Sequence, residues 1–223
     1  MSTRVLLVRH GATVLSAEDR FAGSTNVELS EAGEQQSERL AMRLAGLKLT
    51  AVYSSPLKRT RRTAEIVAAP HRLEVETVDA LREMHHGHWE QRRRAEVEQI
   101  FRNEYQAWEN DPFTFAPEGG ETGLAVLARA LPALGTIVEH HADQPVLVVS
   151  HKATIRLLIG SLLGFDLRGY RDRLDQHPCC LNVIDFKHQT RARLMLLNDI
   201  SHYEDHPETT RAALSKWWDD PKV

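Results

Sequence analysis

The chain has 223 residues, a formal charge of −3 and a sequence isoelectric point near 6.5. That length suits one compact α/β domain over 1–223 with ample core, and the near-neutral balance argues against polyanion binding, so no nucleic-acid partner is expected. The only cysteines, Cys179 and Cys180, are adjacent; they suggest no disulfide framework and fit a reducing cytoplasm.

In chain order, Val5 to Val8 reads as a buried strand that ends abruptly on Arg9, His10 and Gly11. A cation, an imidazole and a glycine at a strand exit point to chemistry, because the carboxyl ends of strands in open α/β sheets are where ligands bind. A loop through Asn26 follows. Ser30 then caps a helix to Leu44, with Leu40 and Leu44 on one face. The strand Ala51 to Ser54 feeds a helix through about Ala68, which Pro70 ends; Arg59 in its first turn makes an anion site at the helix start. Val75 to Leu81 reads as a short strand or extended run leading to Glu83.

Arg92 to Trp108 has helical patterning, broken by Asn110, Asp111 and Pro112. The stretch 84–120 is expected to be a lid over the strand exits. Thr122 to Ala142 forms a helix bent or broken at Pro132. Val146 to Val149 is a second apolar strand ending in a histidine, His151, followed by Lys152 and a helix from Ala153 to Leu163. Two such strand–loop–helix units bring both imidazoles to the same edge of a parallel sheet. Leu181 to Phe186 and Ala192 to Leu197 close the sheet as a pair of strands. The tail 199–223 carries Trp217 and Trp218, expected to dock on the body or in a homodimer contact. No apolar run reaches membrane-spanning length, since Arg156 interrupts the longest, and the short lead into the first strand leaves no room for a signal peptide. The expectation is a cytoplasmic α/β three-layer sandwich with a mostly parallel sheet and helices on both faces.

In the order LVRHGAT, SSPLKRTRRTAE, LREMHHGHWE, GGET and VVSHK, these segments resemble the histidine phosphatase superfamily, in its phosphoglycerate-mutase-like branch, from Arg4 to about Asn198. The resemblance implies a phosphorylated nucleophile at His10, a phosphoryl clamp of Arg9, Arg59 and His151, and a proton donor at Glu83. Ser16, Gly23, His86 and Lys152 complete the expected substrate contacts. The pattern also departs from the family: Ala12 stands where a glutamate is common, Ser16 for an asparagine, and Gln91 and Lys152 for glycines.

The chemistry can be reasoned without the family. A phosphomonoester repels nucleophiles and its alkoxide leaves poorly. Two arginines and a histidine stabilise the charge on the equatorial oxygens. A neutral imidazole attacks in line and divides one hard step into two, while a protonated Glu83 serves the leaving oxygen. The same residues admit plainer readings. Arg61 and Arg62 are expected to face solvent or acids, and Arg92, Arg93 and Arg94 to form a solvated helix start. His85, His86 and His88 lack cysteine or acidic partners at ligand spacing, so neither metal nor other cofactor is expected. Lys152 either meets solvent or extends an ammonium to a second anionic group of the substrate. The function expected is hydrolysis of a small phosphorylated metabolite; a phosphoglycerate-type mutase and a catalytically idle binding relative are the alternatives.

Overall fold

The computed structural model describes residues 2–204, so the tail with Trp217 and Trp218 lies outside the described residues. Strands β1 (Thr3–Arg9), β2 (Ala51–Ser54), β3 (Val75–Thr77), β4 (Pro145–Ser150), β5 (Leu181–His188) and β6 (Arg191–Asp199) form one sheet in the order β3-β2-β4-β1-β5-β6. The first four run parallel, and β5 and β6 are antiparallel additions on one edge. The chain is α/β with a mostly parallel sheet, as its alternating pattern implies.

Side chains alternate across β1, and that alternation divides the core. Val5 and Leu7 meet Leu134, Ile137, Ile155 and Leu158 on one face. Leu6 and Val8 meet Leu40, Leu44, Ala64 and Val67 on the other. The helices behind these contacts are α2 (Glu31–Leu44) and α3 (Lys58–Ala68) on one side and α6 (Gly123–His140) and α7 (Lys152–Leu162) on the other. A short α1 (Val14–Ala17) precedes α2, while α4 (Arg94–Ile100) and α5 (Arg102–Asn110) precede α6. A last turn, α8 (Tyr170–Arg173), follows α7.

From neighbouring β1 and β4 the chain departs to opposite faces, toward α2 and toward α7. This is the switch point at which open α/β sheets leave a crevice.

Ser30 caps α2 by accepting from the Gly33 N–H at 3.2 Å, and Thr122 caps α6 by accepting from Ala125 N at 3.0 Å. The single helix expected from Arg92 to Trp108 is instead two. Phe101, at φ −114° and ψ 43°, leaves helical geometry between α4 and α5. Its ring stacks on His88 with centroids 4.4 Å apart, and the guanidinium of Arg92 lies 5.5 Å from it. Tertiary packing breaks this helix where the sequence offers neither glycine nor proline. Helix α1 was not legible either, because four residues carry too little periodicity; Thr13 and Ser16 hold it through reciprocal cap bonds.

Candidate active site

The exits of β1, β2 and β4 open into a cavity of about 500 Å³, lined by Arg9, His10, Arg59, Glu83 and Lys152 among others. Ser16, Gly23 and His86 line it as well. His151 stands behind His10, the two rings in edge contact with centroids 5.2 Å apart.

His10 is held from both ends. Its Nδ1 lies 2.7 Å from the Gly11 carbonyl, which assigns the ring hydrogen to that nitrogen. Nε2 is left as an acceptor, with the Nε–H of Arg59 donating to it at 3.3 Å. Burial first, then the charges of Arg59 and Arg9, push the imidazole well below its ordinary range, so the ring is neutral at pH 7. The loop carrying it is pinned against α2. A Cβ on Gly11 would collide with the Gly33 carbonyl oxygen, and one on Gly33 with that of Ala12, so two glycines bring the backbones together.

The arginines are positioned by backbone carbonyls rather than by acids. Arg9 donates through Nη1 to the Gln176 carbonyl at 2.6 Å. Arg59, completely buried in the first turn of α3, donates to the carbonyls of Thr25 and Gly23, each at 2.7 Å. Burial lowers it to about 10, so it remains a cation at neutral pH. Neutral acceptors fix these guanidinium groups without cancelling their charge, which leaves it for a ligand. Two buried polar atoms beside His10, Arg9 Nε and His151 Nδ1, have no hydrogen-bond partner among the described residues.

Glu83 meets the N-terminus of α7. Its Oε1 accepts from Met84 N at 3.0 Å and Thr154 N at 3.2 Å, and its Oε2 accepts from Ala153 N at 3.1 Å. His151, the N-cap residue of α7, sits with Nε2 2.8 Å from Ser55 Oγ. It too is pushed well below the ordinary histidine range, by burial first and then by Arg59.

The family model for the histidine phosphatase superfamily, branch 1, matches residues 5–200. The chain belongs to that superfamily. It is an enzyme of the histidine phosphatase type. It is 35% identical over 164 residues to phosphoserine phosphatase 1 of Hydrogenobacter thermophilus, covering 74% of this chain and 78% of that one. With phosphoglycerate mutase-like protein 4 of Arabidopsis thaliana it shares 39% over 157 residues, 69% of this chain and 68% of the other. The solved structure of Bacillus stearothermophilus YhfR superposes with a TM-score of 0.85 at 30% identity, covering 91% of this chain and all of that one (100%).

In this histidine phosphatase the remaining cations sort differently from the sequence reading. Arg61 and Arg62 pair with Glu65 and Glu34 at the surface, as expected. Arg94 does not belong to a solvated helix start: it lines the cavity, lies 3.8 Å from Asp19 and has its guanidinium 5.6 Å from the Trp108 ring. The break at Phe101 and the aromatic cluster behind it set the placement of this wall, which residue pattern alone does not encode.

Arg156 and Arg171 also line the cavity, a placement the sequence pattern does not disclose. Arg156 is legible only once α7 is placed, since one turn separates it from Lys152. Glu90, within LREMHHGHWE, has no role that the sequence pattern alone discloses. It accepts from Ser24 N at 2.7 Å, Thr25 Oγ1 at 2.8 Å and His86 N at 3.2 Å, tying down the loop whose carbonyls hold Arg59. Ser16 reaches the cavity wall, but its hydroxyl donates to the Thr13 carbonyl at 2.7 Å. No group of three or more metal-ligating side chains converges among the described residues, and no helix there is long and apolar enough to cross a membrane.

Proposed function

We propose that this chain hydrolyses small phosphomonoesters in two steps through a phosphohistidine on Nε2 of His10. The observation that carries the reading is the placement of that imidazole, with Nδ1 2.7 Å from the Gly11 carbonyl and Nε2 presented beside a buried arginine, in a buried, cationic setting that favours the neutral ring. Arg9, Arg59 and His151 surround it, and the buried, unpartnered Arg9 Nε and His151 Nδ1 are donors suited to phosphoryl oxygens.

In the first step Nε2 of His10 forms the N–P bond as the ester P–O bond breaks, and the leaving oxygen takes a proton from Glu83. In the second, water attacks phosphorus, its proton returns to Glu83, the N–P bond breaks and inorganic phosphate departs. Oε1 of Glu83 is occupied by two backbone N–H groups, whereas Oε2 accepts from one and is the oxygen free to exchange a proton. The positive charge in this scheme comes from side chains and not from a metal ion. Gly23 acts through its carbonyl on Arg59, and His86 and Ser16 belong to the wall that faces the leaving group.

The test is a trap with a phosphorus-labelled ester, quenched in base, where phosphohistidine survives, and in acid, where it is lost. Base-quenched enzyme is expected to carry label on His10, and His10→Ala is expected to lose both label and turnover while keeping its fold by circular dichroism. Substantial phosphate release by His10→Ala would sink the mechanism. Measuring transfer products beside inorganic phosphate separates hydrolysis from mutase chemistry, a distinction that matters because relatives carry names of both kinds.

A further inference from the structure

The segment that carries Glu83 has no hydrogen-bond ladder of its own. Residues 82–85 belong to neither helix nor strand, so the polar groups of this backbone need partners from elsewhere. Four consecutive carbonyls, from Ala80 to Glu83, accept from side chains. Ser150 Oγ donates to Leu81 O at 2.9 Å, and Thr154 Oγ1 to Arg82 O at 2.8 Å. Arg129, on α6, takes the other two and shares a third. Its Nη1 donates to the carbonyls of Ala80 at 2.7 Å and Arg82 at 2.8 Å, and its Nη2 to that of Glu83 at 3.1 Å.

Glu121 completes the hold. Its two oxygens meet Arg129 as a forked pair, accepting from Nε at 3.0 Å and from Nη2 at 2.9 Å. A guanidinium has five N–H donors, and here all five are used. Glu121 also grips the residues just past the acid. Its Oε2 accepts from His85 N at 3.0 Å, and its own N–H donates to the His85 carbonyl at 2.8 Å. A Cβ on Gly120 would lie 2.9 Å from that carbonyl oxygen, so the close approach depends on glycine. The segment GGET thus has a physical content: a glycine that admits the neighbouring backbone, a carboxylate that grips it, and Thr122, which caps α6.

Resting on the reading of Glu83 as the proton donor, we infer that Arg129 and Glu121 are positioning residues, fixing the backbone from which Glu83 reaches the leaving oxygen. The carboxylate itself is held separately, by the N-terminus of α7. Two helices on one face of the sheet therefore place Glu83, α6 through its backbone and α7 through its side chain. Without Arg129 three carbonyls lose their shared partner, and rotation about the bonds flanking Glu83 carries its oxygens away from the ester. A misplacement of about 1 Å can cost about 10²-fold in rate. The fork is internally neutral, so it adds no net charge beside a group that gives and takes a proton. A lysine cannot stand in for it, because a point cation does not span three carbonyls and a carboxylate at once.

The experiment compares phenyl phosphate with p-nitrophenyl phosphate, esters of similar shape whose phenols differ in how readily they leave as anions. The quantity measured is kcat/KM for the native chain, Glu83→Gln, Arg129→Gln, Arg129→Lys and the double variant of Glu83→Gln with Arg129→Gln, each with a thermal melt. Arg129→Gln should slow the phenyl ester about tenfold more than the nitrophenyl ester, and Arg129→Lys should restore little of that selectivity. In the Glu83→Gln background no proton remains to be placed, so the same substitution should add little further selective loss. Equal losses on both esters, or a selective loss repeated in full in the Glu83→Gln background, overturn the positioning role. If Arg129→Gln does not fold, Glu121→Gln, which keeps an acceptor for the His85 N–H, carries the same comparison. If neither folds, the clamp serves stability and the proposal falls. A Glu83→Gln variant that itself shows no leaving-group preference overturns the proton-donor reading. A selective Glu83→Gln beside an unselective Arg129→Gln overturns the clamp alone.

Discussion

The two walls of the cavity are built on opposite principles. The inner wall, at the exits of β1, β2 and β4, is a set of buried or half-buried polar side chains held by backbone groups: Arg59 by the carbonyls of Gly23 and Thr25, Arg9 by that of Gln176, Glu83 by the amides of α7. The outer wall, from α4 and α5, is an aromatic cluster of Trp89, Tyr105 and Trp108 with Phe21, separate from the clusters that sandwich the sheet. Its charged groups, Arg94 and Arg171, lie against Trp108, the latter 3.8 Å from the ring centre. The inner wall fixes charge in space for one reaction. The outer wall is a separate packing unit facing the same cavity, and on the proposed reading its shape would select what accompanies the phosphoryl group. Chemistry and selectivity should therefore be separable by substitution.

The largest effect belongs to the inner wall. Glu83→Gln keeps the shape and one acceptor oxygen but removes the exchangeable proton. Alkyl phosphates, whose leaving groups need that proton, should slow by about 10²- to 10⁴-fold, while p-nitrophenyl phosphate, which leaves readily as an anion, should lose far less. Equal losses on both esters would mean that Glu83 only places charge. Loss of the fold would instead mean that its bonds to Ala153 and Thr154 hold α7 in place, so a melting curve accompanies the kinetics.

What the sequence disclosed follows the same division. His10, Arg9, Arg59 and His151 were legible because each stands at an abrupt change of pattern, an apolar strand or turn ending on a polar residue, and such a residue has few places to go but the sheet edge. Glu83 depended on its motif. The sandwich was legible from alternating strands and helices, and the cap at Ser30 and the helix start at Thr122 agree with the observed boundaries to within a residue or two. Arg94, Arg156 and Arg171 were not legible. Their positions depend on a helix break at Phe101, on the rotation of α7 and on the short turn α8, none of which has a local signal. An arginine in a helix usually meets solvent, and only tertiary packing can turn it toward a cavity.

The outer wall can be broken at its centre. Trp108 is 4% exposed and packs within 5.7 Å, centroid to centroid, of Phe21, Trp89 and Tyr105. Trp108→Ala should cost about 3–5 kcal/mol, as large aromatic deletions from cores do. If the two walls are separate units, hydrogen exchange should quicken first in α4 and α5, while β1 and β4 stay protected. Labelling of His10 by p-nitrophenyl phosphate should persist, and discrimination among leaving groups should weaken. A uniform loss of protection through the whole sheet would show that the cluster is part of one cooperative core and would void the comparison.

The smallest effect tests whether the inner wall holds its imidazoles neutral. His10 and His151 are both pushed well below the ordinary histidine value near 6.5, by burial before all else. Above that value neither state of the protein protonates them, and they add no pH dependence. As pH falls through it, the unfolded chain takes up protons that the native state refuses, so stability is lost progressively toward the depressed native value. Each such histidine contributes a slope of at most about 1.4 kcal/mol per pH unit in that window. Replacing one with an uncharged, hydrogen-bonding side chain, as in His10→Asn, should flatten the acid limb of the stability curve by up to that slope, measured by urea denaturation between pH 7 and 5 with the curves normalised at pH 7. Other histidines lowered in the same direction, such as half-buried His86, give the same contribution in both proteins and cancel in the difference. An unchanged slope would mean that folded His10 accepts a proton as readily as unfolded His10. The arginines beside it would then not be keeping the nucleophile in its attacking form, and the acid side of the rate profile would have to follow an ordinary histidine instead.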